Sequence, residues 1–221
     1  MIVGVDAWSR YDEDADHLAH LVCEVVGGLA VGAPGGRGPL EALLVATHGV
    51  PAAVSGGEPH SAVSAVVPDG LGLPPPAVLE GLGAVVDAEV RRTGVASGAV
   101  VVTGTGLGDG LVRGDAPGAV AGAWVAVAAS VTGASGRLVR YPGSDVLRGT
   151  LTVADVLARS WVDDVVVVGG APSTPATLVD TRGFVRPRVE AGRVVLHVQP
   201  AVGGVMVPFE KERPERCCED H

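Results

Sequence analysis

Residues 2–29, IVGVDAWSRYDEDADHLAHLVCEVVGGL, contain the two patterns that decide the fold. Residues 2–5 are apolar and predict a short first strand, and residues 6–14 predict an acidic loop. The next apolar residues recur every three or four positions, which places them on one face of an amphipathic helix; they are Leu18, Leu21, Val22, Val25, Val26 and Leu29. Asp14 or Asp16 is expected to cap the start of this helix, and Gly27 or Gly28 is expected to cap its end.

The same spacing of apolar residues predicts a second amphipathic helix in the middle of the chain. Its apolar stripe consists of Val78, Leu79, Leu82, Val85, Val86 and Val90. Prolines occupy the first turn, Arg91 and Arg92 the last turn, and Gly94 follows as an expected C-cap. Thr152 and Asp155 have the spacing of a capping box and predict a third helix.

Between and after these helices, short β-branched runs predict strands at residues 61–67, 99–103, 138–141 and 165–168. Residues 40–47 are consistent with either a strand or a helix. Beyond residue 172 the helical period is lost, and the pattern predicts a hairpin of residues 184–189 and 193–198 and a strand at 205–209. The fold class is therefore mixed α/β (α+β), with helices packed on a Val-rich sheet and antiparallel strands in the C-terminal quarter.

Composition favours one folded domain. The chain is 47% hydrophobic and 19% charged, which excludes a fully disordered protein. We expect a single globular domain over residues 1–210 and a C-terminal tail over residues 211–221. Residues 116–136 are uncharged, but their Ala, Gly and Val content favours a buried core element over a membrane helix.

Charge and cysteine content narrow the function classes. The formal net charge of −9 argues against nucleic acid as a partner, and the single lysine, Lys211, argues against a Walker-type loop or Schiff-base chemistry. Three cysteines do not form a disulfide framework, and the N-terminus has no basic region of a signal peptide. We expect a cytoplasmic protein without a membrane anchor, and the arginine, alanine and valine bias is associated with GC-rich bacterial genomes.

The first candidate site is a metal site. Three side chains with metal-ligating atoms, His17, His20 and Glu24, share the polar face of the first predicted helix. Two thiols and an imidazole, those of Cys217, Cys218 and His221, stand close together at the end of the sequence. Zinc binds nitrogen, sulfur and carboxylate ligands, so these six residues are candidate zinc ligands. The alternative is an ordinary solvated helix face and a frayed tail.

The second candidate is the glycine-rich loop at residues 104–110. Backbone N–H groups in such a loop can bind an anion, and the candidate ligand-binding residues are Gly104, Gly106, Gly108 and Asp109. The glycine spacing does not match a dinucleotide fingerprint, because Asp109 occupies the last glycine position. A purely structural turn is the alternative.

The third candidate is catalytic and uses two histidines beside glycine and proline. His48 and His60 are expected in loops, where histidine can act as an acid or a base, and Glu58 adds a carboxylate. Ser55 lacks the glycine context of a nucleophile elbow, which argues against a serine hydrolase. Two solvated loop histidines are the alternative.

The fourth candidate is an arginine group at the C-terminal hairpin. Arg182, Arg186 and Arg188 have guanidinium groups suited to carboxylate or phosphate ligands. Ion pairs with neighbouring acids, such as Asp180 and Glu190, are the simpler alternative.

Two functional hypotheses follow. The first is a bacterial small-molecule enzyme of hydrolase or lyase type, assisted by a metal such as zinc, with a site formed by the residue 104–110 loop and His48 or His60. The second is a non-catalytic module that binds a small-molecule ligand or assembles as a homo-oligomer.

Overall fold

A computed structural model describes residues 1–31, 38–95, 97–104, 110–170 and 172–212. Its contacts divide the chain into two compact units, which we describe separately. Unit 1 comprises Met1–Pro142 and Val189–Gly192, and unit 2 comprises Gly143–Arg188 and the described residues from Arg193 onward. The single domain expected over residues 1–210 stays a prediction.

The mixed α+β class is confirmed, since the described residues form five α-helices and twelve strands. The helices are α1 (Asp12–Val31), α2 (Ala52–Ser55), α3 (Pro75–Thr93), α4 (Pro117–Thr132) and α5 (Val153–Arg159). The first six strands are β1 (Ile2–Ser9), β2 (Leu44–Val50), β3 (His60–Val66), β4 (Ala99–Thr103), β5 (Leu111–Arg113) and β6 (Ser135–Arg140). The last six are β7 (Thr150–Thr152), β8 (Asp164–Val167), β9 (Leu178–Asp180), β10 (Arg188–Glu190), β11 (Arg193–Pro200) and β12 (Met206–Pro208).

Unit 1 is built around an antiparallel sheet with the strand order β5-β4-β1-β3-β2-β6, and β10 lies beside β6. Alternate residues of β1 point to opposite faces, as the pleat requires. Val3 and Val5 join the core under α1 and α3, whereas Ile2 joins the core under α4. Helices therefore cover both faces of the sheet, and the apolar stripes predicted for the first two helices form the larger core.

The helix ends follow from local chemistry. Three acidic residues of the first turn of α1, among them Asp14, lie where the helix dipole favours negative charge. The predicted cap at Asp14 or Asp16 is wrong, because the helix begins at Asp12 and both residues lie inside it. The predicted end at Gly27 or Gly28 is also wrong, because α1 continues to Val31. Gly94 ends α3 in the left-handed conformation, at φ 72°, and donates its N–H to Val90, as the sequence predicted.

Helix α4 lies within the uncharged residues 116–136 and buries one face, as expected for a core element and formed by Ala119, Gly122, Ala123, Ala126 and Val127. Its small residues let it lie very close to β1: a Cβ atom placed on Gly4 would be 2.1 Å from the carbonyl oxygen of Ala123. No helix in the described part of the chain combines the length and the apolar character needed to cross a membrane.

Unit 2 has the strand order β8-β11-β12-β9-β7. The predicted antiparallel pairing is present between β11 and β12, but β8 pairs with β11, and β9 with β12, in parallel. Thr152 and Asp155 form the predicted capping box at the start of α5. The first hairpin strand is shorter than predicted: β10 begins at Arg188, and residues 184–187 precede it outside any strand.

The close approach of α4 to β1 predicts the effect of adding one methyl group. Gly4→Ala should lower the free energy of unfolding by about 2 kcal/mol or more, because the new Cβ must push the α4 backbone away from the sheet. Gly28→Ala is the matched control: Gly28 is an exposed position of α1 with no atom within 4 Å of the added Cβ. It should raise the free energy of unfolding by about 0.5–1 kcal/mol. Urea unfolding of both variants measures the difference, and equal effects would contradict the close packing described for Gly4.

Candidate functional site

The two predicted catalytic histidines lie in strands, not in loops. His48 is in β2, His60 is the first residue of β3, and both residues are only 5% exposed. Their expected loop placement is therefore wrong, because the strands extend further than their glycine and proline neighbours suggested. Residues 51–59 connect strands β2 and β3, and Glu58 lies exposed in that connection.

His60 is held in a buried ion pair with Asp6. Its Nε2 atom is 2.8 Å from Oδ2 of Asp6, and neither side chain is exposed. Its Nδ1 atom is 3.1 Å from the carbonyl oxygen of Glu58. Both ring nitrogens face acceptors, and only the imidazolium form can donate to both. In this arrangement neither nitrogen is available to take a proton from a substrate.

The pKa of His60 agrees with this geometry. Burial alone lowers the pKa, but the hydrogen bond and the negative charge of Asp6, with the Glu58 carbonyl, outweigh burial and raise it above 6.5. A raised pKa means that the pair contributes stability that is fully present below pH 6.5. That stability is lost as the pH rises through the pKa of His60 in the folded protein.

Trp8 completes this cluster. Its indole ring stacks on the imidazole of His60 with ring centroids 4.2 Å apart, and its backbone N–H donates to Oδ1 of Asp6 at 2.8 Å. Trp8 has a φ of 54°, in the left-handed region that non-glycine residues rarely adopt. The register of β1 against β3 shifts over the same residues, since Val5 pairs with Val63 but Ser9 pairs with Ser61. We call residues 6–8 the β1 bulge.

His48 is a second buried histidine with a different environment. Its Nε2 atom is 2.7 Å from Oγ of Ser64, and its Nδ1 atom has no hydrogen-bond partner within the described ranges. Burial lowers the pKa of His48 to about 4, and the nearby backbone of Ser135 offsets only part of this effect. His48 is therefore neutral at pH 7.

A cleft of about 640 Å³ opens in unit 1 beside the β1 bulge. Its lining comes from the end of β1 and the start of α1 on one side, and from the end of α3 and the following residues on the other. The lining residues are Trp8, Arg10, Tyr11, Asp14, Arg92, Thr93, Gly94, Val95 and Ser97. Ser97 also lines a smaller cavity of about 250 Å³. Neither His48 nor His60 lines either space.

The two arginines of this cleft differ in how firmly they are held. Nε of Arg92 lies 2.9 and 3.0 Å from the two carboxylate oxygens of Glu89, and Nη2 of Arg92 lies 2.8 Å from Asp14. These bonds raise the pKa of Arg92 further above its usual range, with Glu89 as the larger cause. In the described part of the chain, Arg10 has one ion pair, at 3.1 Å to Glu58, in which both side chains are more than half exposed. Exposed pairs contribute only about 0–1 kcal/mol, so Arg10 can exchange this partner at little cost.

The predicted metal ligands are only partly described. His17 and Glu24 are exposed on α1, His20 is exposed on the same helix, and Nε2 of His17 is 3.8 Å from Glu89. Within the described ranges, no three or more His, Cys, Asp or Glu side chains are grouped so that they could hold a metal ion. Cys217, Cys218 and His221 lie outside the described residues, so zinc binding stays a prediction.

Gly104 is the one described residue among the four predicted ligand-binding residues of the glycine-rich loop. Gly104 follows β4, and its carbonyl oxygen accepts a hydrogen bond from Ile2, whereas Gly106, Gly108 and Asp109 lie outside the described residues.

The arginines of unit 2 lie apart from this loop in the sequence and have local partners. The backbone N–H of Arg182 donates to Asp180 at 3.1 Å. The guanidinium of Arg186 lies 4.3 Å from the ring centre of Phe184. Arg188 pairs with Glu210 at 2.6 Å, an ion pair of the kind given as the alternative for this group. Anion binding by these arginines stays a prediction.

Sequence reasoning missed the residues that form the cleft. It ended the first strand at Val5 and assigned residues 6–14 to a loop, so Asp6, Trp8 and Arg10 were not considered. The alternation of Val3, Val5 and Ala7 was the available signal, because it continues the strand through Asp6. Comparison with protein-family models, curated proteins and solved structures finds no match for this chain.

The lowered pKa of His48 predicts a loss of stability in acid. Between pH 6.5 and pH 4 the unfolded chain protonates this histidine and the folded protein does not, so acid favours unfolding. Between pH 7 and pH 4, wild type should lose about 3 kcal/mol more free energy of unfolding than a His48→Gln variant. Urea unfolding at several pH values measures both proteins. Parallel pH dependences in the two proteins would contradict the assignment.

Proposed function

We propose that this protein binds a small organic carboxylate in the cleft beside the β1 bulge. The observation that carries the proposal is the cleft itself, whose volume of about 640 Å³ lies within the range of small-molecule sites. It brings two aromatic residues, Trp8 and Tyr11, together with charged side chains in a concave surface of unit 1.

The charge of the ligand is inferred from Arg10. Two cations and one carboxylate line the cleft, and Arg92 is already bonded to both Glu89 and Asp14. Arg10 is the more available cation, since its pair with Glu58 is exposed to solvent. A guanidinium group can form two parallel hydrogen bonds to a carboxylate, which favours an acidic ligand over a neutral or basic one.

This proposal corresponds to the ligand-binding form of the second hypothesis. The metal-assisted enzyme, the zinc cofactor and the homo-oligomer stay predictions, as do the bacterial origin and the cytoplasmic location. For the enzyme, the bonding of both His60 nitrogens argues against that residue as the base.

Three probes of matched shape test the proposal. Benzoate, benzyl alcohol and benzylamine carry similar rings with negative, neutral and positive groups. We expect benzoate to shift the NMR signals of Tyr11 and Arg10, and to bind more tightly than the other two probes. Arg10→Gln should weaken benzoate binding about tenfold, because it removes a charge-assisted hydrogen bond.

Arg193→Gln is the control for this measurement. Arg193 is a surface arginine of unit 2 with a similar exposed ion pair, at 3.3 Å to Asp164. Its replacement should leave benzoate affinity unchanged. Tighter binding of benzylamine than of benzoate, or equal affinities in wild type and Arg10→Gln, would refute the carboxylate assignment.

A further inference from the structure

Protonation of His60 has a structural consequence because of what the imidazolium connects. His60 donates to Asp6 at 2.8 Å, and Asp6 in turn accepts the backbone N–H of Trp8 at 2.8 Å. The second ring nitrogen donates to the Glu58 carbonyl, at 3.1 Å. One protonated ring therefore links the β1 bulge to the residues just before β3.

The bulge backbone depends on these bonds. Trp8 adopts a φ of 54°, which is unfavourable for a tryptophan and persists only where surrounding contacts impose it. Those contacts are the bond from its N–H to Asp6 and the stacking of its ring on His60. The ring also fills the space beside Gly57 and Gly118, where an added Cβ would lie 2.7 and 3.3 Å from indole atoms.

Among the described residues, His60 has one buried countercharge, that of Asp6. Helix α4 packs over the pair so closely that a Cβ on Gly122 would lie 1.8 Å from Oδ2 of Asp6, and this helix contains no titratable side chain. From the strands, Asp6 is the charged group that faces His60. The Glu58 carboxylate is directed to Arg10, 3.1 Å away, and not to the imidazole.

Loss of the second proton breaks this arrangement. A neutral imidazole has one N–H, so either Asp6 or the Glu58 carbonyl loses its donor. The Asp6 carboxylate also loses the adjacent positive charge while it remains buried, which is strongly unfavourable. Rearrangement of the β1 bulge would relieve both effects. Trp8 lies in the bulge, Arg10 follows it by two residues, and both line the cleft.

We propose that the protonation state of His60 regulates the proposed carboxylate site, which binds its ligand tightly while His60 is charged and weakly once His60 is neutral. This inference rests on the proposed function, because it concerns the affinity of the same cleft. The raised pKa of His60 supports it, since the charged form then persists above pH 6.5. By linkage, a bound carboxylate must in turn raise the pKa of His60.

The experiment measures ligand affinity and the His60 signal in the same samples. Histidine side-chain NMR of the full chain gives the pKa of His60, assigned with a His60→Gln variant, with and without saturating benzoate. The dissociation constant of benzoate is measured over the same pH series. We expect affinity to fall roughly fivefold or more as the pH rises through the measured pKa, and the pKa to be higher with benzoate bound.

A second measurement uses Trp8 fluorescence to report on the β1 bulge in the absence of ligand. In a Trp124→Phe, Trp161→Phe variant, Trp8 is the single tryptophan of the chain. Its fluorescence should change with the same midpoint as the His60 NMR signal, because a charged and a neutral imidazole differ in contact with the indole. An unchanged Trp8 signal across that midpoint would overturn the inference.

Other titratable groups lie in or near the cleft, and two histidine variants test whether the pH dependence of benzoate binding comes from His60. Asp14 and Tyr11 line the cleft, and His17 lies 3.8 Å from Glu89, which binds Arg92. A His17→Gln variant should keep the pH dependence of benzoate binding, whereas His60→Gln should bind weakly at every pH. Retained pH dependence in a folded His60→Gln variant would overturn the inference.

The two proposals fail in different ways. Benzoate that binds with the same affinity on both sides of the His60 midpoint overturns the regulation and leaves the proposed function standing. Absence of benzoate binding at every pH overturns the proposed function, and the regulation with it.

Discussion

The buried carboxylate of Asp6 is the constraint on which this part of the molecule depends. A charged group with no solvent exposure is tolerated only when it is paired and hydrogen-bonded. His60 supplies the charge and one hydrogen bond, and the backbone of Trp8 supplies another. Removal of one partner of such a pair commonly costs about 3–5 kcal/mol, so Asp6, His60 and the bulge between β1 and β3 must be retained together.

The small residues of α4 make this burial possible. Gly122 lets the helix backbone lie directly over Asp6, and Gly4 lets the strand backbone approach Ala123. The chain has only seven aromatic residues, so its core gains density from close backbone approach and from valine. One of those aromatic residues, Trp8, fills the space that Gly57 and Gly118 leave beside the ion pair.

The elements predicted correctly are those whose signal is local. The apolar stripes of α1 and α3 repeat within a few residues, the Gly94 cap follows its helix directly, and Thr152 and Asp155 are three residues apart. Such patterns indicate which face of an element is buried, even when the element that packs against that face is unknown.

The candidate site could not be predicted in the same way. Asp6 and His60 are 54 residues apart, and the polar character of Asp6 indicates a loop until its partner is known. His48 and His60 stand beside glycine or proline, so local reasoning placed them in loops, although strand pairing extends β2 and β3 to include them. The cleft needs the start of α1 and the end of α3 side by side, which depends on packing and not on any short pattern.

The β1 bulge links the buried pair to the cleft without disturbing the core. Between the pairs Val5–Val63 and Ser9–Ser61, β1 advances four residues while β3 advances two, so β1 contains two extra residues. Because side chains alternate with a period of two, an even insertion preserves the faces on either side, and the strand keeps its inward and outward positions. The extra length instead alters the backbone path just before Arg10 and Tyr11, which then line the cleft. Selection can therefore change the shape of this cleft through the bulge while the valine core under α1 and α3 stays the same.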